Sequence, residues 1–395
     1  MIFIWIIVAI IIFSFVVLIH ELWHFSAARK FWVKIEEFWL WLPPRAKKLF
    51  TDKKWTLFSL NWLPLWGFVK LKWESLESLK NKNDPEALIN KPAWQQSIII
   101  LAWVFMNFLL ASIIFSILFF IWLKPIWINT QIETDLNLKL IPTYEQAIDS
   151  GILIKKEGVL LWPLKDSIAE KSWLQTNDLL LKINNKKILS PKQAIKIIQS
   201  NPGNNLIFQI KRDNKILDIN ITPWKETWKI WAYVWKNIEL NKDFEYKYNF
   251  IDSIKYGFLE TYNQSLLTIK WLGILFKKLI SPEKPEQRQE ALNQMSWPIW
   301  IVDFISNSLS NWFIFLLIIT AVISINLWVF NLLPIPALDW WRFIFIVINW
   351  TIQKLFWKKI IAQNIENIIH ISFFILLIVL SIFIWYNDIN KIINR

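Results

Sequence analysis

Hydrophobic and polar positions alternate on two different scales along this chain, and the coarser scale dominates. Residues 1 to about 25 are almost unbroken apolar, residues 97–123 carry no charge, and neither does the run Phe304–Leu338. Residues 367–386 form a further apolar stretch. A spanning helix needs about 20 apolar residues, so each of these regions is long enough for one, the third best placed at 312–332. Between the first two, Glu36–Lys72 breaks into short apolar pieces interrupted by Pro43-Pro44, a basic turn and Pro64. Such pieces suit short strands, and they predict a sheet lying at the membrane face. From 124 to 305 the chain turns polar, and Val159–Pro223 alternates apolar and polar residues with turn signals at Asn184-Asn185 and Asn201-Pro202-Gly203. A helix is expected over Pro191–Gln199. Asp252–Ile280 has helical spacing with scattered lysines, which fits either an amphipathic surface helix or a helix packed beneath a soluble domain.

The pattern predicts a multi-span α-helical membrane protein with about four transmembrane helices, a membrane-associated β-hairpin or sheet, and an inserted α+β domain. The expected division is a membrane part at 1–123, the inserted domain at 144–235, an amphipathic and linker region at 236–311, and a second membrane part at 312–395.

Composition agrees, with 55% hydrophobic residues over 395 positions and a mean hydropathy of +0.34. The net charge of +13 does not point to nucleic acid, because the basic residues are spread over loops and form no aromatic-basic module. Arg29, Lys30, Lys34, Arg45, Lys47 and Lys48 crowd the loop after the first span. Arg342, Lys354, Lys358 and Lys359 follow the third, in what the sequence suggests is a short loop. The positive-inside rule puts both loops in the cytoplasm, with the inserted domain and both termini outside. The first span lacks the basic start and small-residue cleavage site of a signal peptide, so it is expected to be retained. There are no cysteines, so any metal ligands must be His and carboxylate.

One count is abnormal: 29 Trp against 6 Gly, where a chain of this length averages about 28 Gly. Trp173 in Lys171-Ser172-Trp173-Leu174, Trp66 beside Pro64-Leu65, Trp297 before Pro298, and Trp340-Trp341 after Asp339 all stand in turn-like settings that favour glycine. The expectation is that UGA codons meaning glycine in the source organism stand here as tryptophan. Aromatic belts would cluster tryptophan at helix ends, yet Trp173, Trp224, Trp228 and Trp231 lie in the polar region.

Candidate chemistry closes the first apolar run. His20-Glu21-Leu22-Trp23-His24 places two histidines four residues apart, on one helical face, where both imidazoles can reach one metal ion. Glu21 then sits where a carboxylate can take a proton from a metal-activated water attacking a carbonyl. The bland alternative is a pair of polar residues at a helix end, but with three His in the chain a chance match is rare. Catalytic zinc usually has three protein ligands. Asp339, held past the prolines of Asn331-Leu332-Leu333-Pro334-Ile335-Pro336, is the best-placed third, although an Asp there also caps helices. Asn107, the strongly polar residue of the second span, fits helix–helix glue, and His370 fits an interfacial position.

Taken together, these residues resemble the site-2 protease family of intramembrane zinc metalloproteases, within it the bacterial RseP type. HELWHF at His20–Phe25 is similar to that family's HExxH, and Leu63–Lys70 (LPLWGFVK) to its membrane-associated strand motif. Leu101–Ala111 resembles its second conserved helix, and Asn331–Arg342 (NLLPIPALDWWR) its last signature. Val159–Pro163, Asp166–Ala169 and Asp178–Leu180 make the inserted domain PDZ-like. Departures fall almost entirely at Trp23, Trp66, Trp103, Trp340 and Trp341, where the family has glycine.

The resemblance implies Zn2+ held by His20, His24 and Asp339, with Glu21 as general base. It also implies substrate contacts from Asn331 and from Gly67 and Phe68 of the strand motif. The expected function is regulated intramembrane proteolysis of a membrane-protein substrate, such as a single-span regulatory protein, in the lipid bilayer of the bacterial inner (cytoplasmic) membrane. The rival expectation is a catalytically inactive scaffold binding peptides through the PDZ-like domain, with Trp23 and Trp340-Trp341 crowding the site.

Overall fold

In the computed structural model the first apolar run is one helix, α1 (Ile2–Lys30), followed by two long strands, β1 (Ile35–Thr51) and β2 (Leu57–Leu71), and a second apolar helix, α2 (Ala93–Ile121). The structure describes residues 2–72, 84–129, 132, 134–226, 229–230, 232–282, 284, 286–288, 312–336, 338–356, 368–369, 371–373, 375–376 and 379. Among them, three helical stretches are long and apolar enough to cross a membrane: Ile10–Lys30, Ala93–Ile121 and Phe313–Asn331. The expected span at 367–386, with His370 at its start, lies mostly outside the described residues, as does the end of the expected linker.

The chain divides into two compact units. One comprises Met1–Leu123, Thr134–Leu140 and Tyr246–Arg395, the other Lys124–Glu133 and Ile141–Glu245.

In the first unit α2 is the hub, packing against α1, α6 (Phe250–Ile280), α7 (Trp312–Asn331) and α8 (Asp339–Phe356). Its Ile99, Phe115, Leu118 and Phe119 are completely covered. The expected loop after Asp339 is instead the helix α8, which corrects the sequence expectation. Phe343, Phe345, Val347, Ile348 and Trp350 interleave with Arg342 and Lys354 at a spacing that gives the helix an apolar face, and Lys354 sits in its last turn, while Lys358 and Lys359 lie outside the described residues. The region Asp252–Ile280 is helical, and it packs lengthwise on α2. Gly257 lies so close that a Cβ there would come within 2.6 Å of the Ser116 backbone nitrogen.

The two strands pair antiparallel, and each doubles back. Phe38 faces both Phe58 and Val69, and Leu40 faces both Leu60 and Gly67. The run Gly67–Leu71 is thus paired on one side only among the described residues, as an edge. Phe38, Val69 and Leu71 share a core with Ala27, Ala28 and Ile99, so burial of apolar surface fixes the sheet against the ends of α1 and α2.

The second unit is an antiparallel sheet in the order β7-β6-β4-β3-β8, with β5 pairing β4. Its strands are β3 (Leu153–Pro163), β4 (Asp178–Ile183), β5 (Lys186–Lys187), β6 (Leu206–Arg212), β7 (Lys215–Ile221) and β8 (Ala232–Leu240). The boundary expected at 235 falls inside β8. Val159, Leu161, Leu180, Phe208 and Ile210 form its core with Ala194 and Ile198 of α5 (Pro191–Gln199). Ser190 caps α5 by accepting from the Gln193 amide, and Pro191 occupies the first turn, where its missing N–H costs nothing. Two short helices, α3 (Tyr144–Asp149) and α4 (Ile168–Lys171), complete the unit.

Four tryptophans, Trp32, Trp41, Trp55 and Trp173, adopt left-handed φ angles of 59°, 72°, 64° and 67°. At Trp32 the amide donates to the Arg29 carbonyl and the next amide, Val33, donates to Ala28. Trp173 repeats this, donating to Glu170 while Leu174 donates to Ala169. Both are Schellman ends with tryptophan where glycine is customary.

Candidate metal centre

His20 and His24 lie one turn apart on α1 because a helix brings positions i and i+4 to one face. Their ring centroids are 5.3 Å apart. His20 and Glu21 are buried, and Glu21 Oε1 lies 3.9 Å from His20 Nε2. Trp23 is 40% exposed.

The second helix holds both rings. His24 Nδ1 is 3.0 Å from the Ile99 carbonyl oxygen, to which it can only donate. That fixes the tautomer with its lone pair on Nε2, the form that ligates a metal. His20 Nδ1 is 3.1 Å from the Asn107 side-chain amide, and Asn107 is completely buried. The chemistry of this pair fits zinc: two imidazoles on one helical face, each with its Nδ1 engaged by α2.

Among the described residues no three His, Cys, Asp or Glu side chains gather in a cluster able to hold a metal. Asp339 opens α8, which packs against α2, but its side chain lies outside what the structure describes. Asn331 is the last residue of α7 and is buried.

Gly67 of β2 lies directly against α1. A Cβ there would come within 3.1 Å of Val17 Cγ1 and 3.2 Å of Glu21 Cγ. The edge run beginning at Gly67 therefore starts beside the carboxylate-bearing residue. Phe68, next along it, packs on Trp39 with ring centroids 5.4 Å apart. Sequence reasoning missed the partners that α2 gives the histidines. The one signal was Asn107 itself, a strongly polar residue midway along a charge-free helix.

A buried histidine and a half-buried one on the same helical face, with a buried glutamate beside the first, on one of several helices able to cross a membrane, is the arrangement of a membrane metallohydrolase. The sequence pattern of Peptidase family M50 matches residues 8–380, and the chain belongs to that family, as a zinc metalloprotease of the site-2 protease type. It is 30% identical to a Campylobacter jejuni protein named as a zinc metalloprotease over 395 residues, covering 98% of this chain and 93% of the relative. A Clostridium acetobutylicum protein named in the same way is 27% identical over 389 residues, 98% of each chain. The regulator of sigma E protease of Haemophilus influenzae is 26% identical over 449 residues, covering 96% of this chain and 97% of the relative.

Proposed function

We propose that this enzyme is an intramembrane endopeptidase that cuts a membrane-spanning substrate near its cytoplasmic end. The observation that carries the reading is Glu21, buried and 3.9 Å from His20 on a helix whose two histidines both have Nδ1 held by α2, with the edge strand at Gly67 packed against it.

His20 and His24, through Nε2, and Asp339, at the start of α8, would hold the zinc ion. Bound there, zinc supplies Lewis acidity toward water and toward the scissile carbonyl. Glu21 accepts the proton from the attacking water and returns it to the departing amide nitrogen, the two halves of general base and general acid work. Asn331 at the end of α7 would hold the substrate carbonyl. A peptide bond inside a helix is hydrogen-bonded and covered, so the substrate must unwind before it is cut. The unpaired edge at Gly67 and Phe68 can receive the unwound segment by backbone hydrogen bonds, as in strand addition. The second unit, a PDZ-like module over 144–235 by its sequence pattern, would filter or dock substrates from outside a bacterial inner membrane. The substrate class is a membrane protein such as a single-span regulatory protein.

Glu21→Gln keeps the volume and removes the base. Cleavage of a single-span substrate in detergent is expected to fall by about 100-fold or more, with bound zinc unchanged. Undiminished cleavage would sink the mechanism.

A further inference from the structure

Asn107 is a polar side chain of the α2 hub that reaches a candidate metal ligand, and its place in the structure is unusual. It is completely buried. Its backbone carbonyl accepts from Ser324 Oγ of α7 at 2.9 Å. Its side-chain amide, however, faces His20 Nδ1 at 3.1 Å across 87 residues of sequence, and the Oδ1 atom has no hydrogen-bond partner among the described residues. The bond ties α2 to α1 as interhelical hydrogen bonds do, but it uses only one end of the amide. That end goes to one imidazole nitrogen.

Which end of the amide faces that nitrogen decides what His20 can do. The oxygen and nitrogen of an asparagine side chain are interchanged by a half-turn, and their assignment follows from the hydrogen-bond network. With Nδ2 donating, His20 Nδ1 must be the acceptor, and the proton sits on Nε2, which then has no lone pair for a metal. With Oδ1 accepting, Nδ1 carries the proton and Nε2 becomes the ligating atom. His24 is already in this second state, since the Ile99 carbonyl on the same helix can only accept.

We propose that Asn107 is the positioning residue of His20: in the zinc-loaded enzyme its Oδ1 accepts from His20 Nδ1–H, fixing the tautomer and ring orientation that present Nε2 to the metal. This rests on the assignment of His20 and His24 as ligands. The helix α2 thereby orients both histidines of α1, one through a backbone carbonyl and the other through a side-chain carbonyl. No mutation acts on the backbone carbonyl, so Asn107 is the point at which zinc affinity can be tuned by a side chain.

The test compares Asn107→Leu, which keeps the bulk and removes the acceptor, with Asn107→Asp, which keeps only acceptors, in full-length detergent-solubilised protein. Each is stripped with a chelator and titrated with zinc ion alone against a fluorescent zinc competitor, with His24→Ala as the control for the ligand assignment. Asn107→Leu is expected to weaken zinc binding by about 10- to 100-fold, the usual effect of losing such a partner. Asn107→Asp is expected to stay within a few-fold of wild type. The zinc-free proteins should unfold at similar temperatures, because the loss concerns the metal. Two results would overturn the inference while leaving the site intact: wild-type affinity in Asn107→Leu, or an equal loss in both variants, the mark of a packing role. Wild-type zinc affinity in His24→Ala would overturn the ligand assignment and this inference with it.

Discussion

Trp32 and Trp173 carry an indole at a backbone angle that disfavours any side chain. The left-handed region costs an L-residue about 1–2 kcal/mol, and for a bulky residue it is a genuine outlier. Neither side chain recovers that by burial, being 75% and 79% exposed. Trp55 has the same character at the turn after Asp52, where its amide donates to the Asp52 carbonyl. Trp41 differs, because its Nε1 donates to Ser14 Oγ at 2.8 Å. Trp32→Gly and Trp173→Gly are each expected to stabilise the protein by about 1 kcal/mol, the relief of strain less the extra chain entropy of glycine. Denaturant unfolding would show this, and a loss of stability in both would refute it. The same angles bear on the excess of tryptophan over glycine. Peptides spanning Trp32, Trp55 and Trp173 taken from the source organism are expected to have the mass of glycine at those positions. Tryptophan's mass there would overturn the codon explanation. Unaided by the structure, the sequence singled out Trp173 through its Ser-Trp-Leu turn setting. Trp32 was hidden, because the apolar run ends near Phe25 and the pattern of Ser26–Phe31 did not mark how far α1 continues.

At the scale of the element, the second unit is clasped by one ion pair. Asp178 at the start of β4 is 1% exposed. It accepts from Arg212 Nε at 2.7 Å and Nη2 at 2.6 Å, and from the Gln175 amide at 2.7 Å. Arg212 also donates to the Trp173 carbonyl, at 2.7 Å, so the pair joins the end of β6 to the turn before β4. Arg212→Ala strands a buried carboxylate and is expected to cost about 3–5 kcal/mol, whereas replacing both partners should cost less than that single change. A double-mutant cycle by chemical unfolding checks it. In the first unit, Lys72 at the end of β2 bonds Asp84 Oδ2 at 2.6 Å and Glu86 Oε2 at 3.4 Å. The bond from Lys72, then the Glu86 amide, holds the Asp84 carboxyl below the ordinary carboxylate range. The bond to Asp84 is also the chief cause that raises the Lys72 ammonium. A depressed carboxyl stabilises the fold above its unfolded pKa and ceases to do so as pH falls through the folded value; a raised ammonium stabilises below its unfolded pKa and ceases as pH rises through its folded value. The clasp therefore works between those limits. The stability gap between wild type and Asp84→Asn should be widest near neutrality and close in acid, and a gap independent of pH would exclude the pairing. Of these elements, α5 was legible because Ser190 and Pro191 mark its start locally. The doubling of β1 and β2 was not, since pairing Phe38 with both Phe58 and Val69 depends on contacts that no local pattern encodes. The helix α8 was obscured by Arg342 and Lys354 within it, although its apolar spacing was present. In the proposed metal centre, the one-turn spacing of His20-Glu21 and His24 is visible in the sequence, whereas the contact of Asn107 with His20 arises only when α1 and α2 pack.

For the molecule as a whole, the net charge of +13 is unevenly placed, and the placement implies an orientation. The hairpin after α1 carries Arg45, Lys47, Lys48, Lys53 and Lys54 within ten residues of sequence. Short loops with such density stay on the cytoplasmic side, whereas a large inserted domain is translocated largely regardless of its charge. The HELWH motif lies in the half of α1 nearer the hairpin, and Asn331 and Asp339 flank the prolines after α7. On this proposal both halves of the centre lie in the cytoplasmic half of the bilayer, and the cut falls near that end of the substrate. The absence of cysteine makes the orientation directly measurable. Lys53→Cys, at the exposed hairpin tip, and Lys186→Cys, exposed in β5 of the second unit, each give the chain a single thiol. In intact spheroplasts a membrane-impermeant maleimide is expected to label the cysteine at 186 and spare that at 53, and permeabilisation should make both reactive. The reverse pattern would place the hairpin outside and move the proposed cut to the opposite face. Labelling of both positions in sealed spheroplasts would mean that the two regions share the outer side, and α1 and α2 could not then both cross the bilayer as the charge pattern requires.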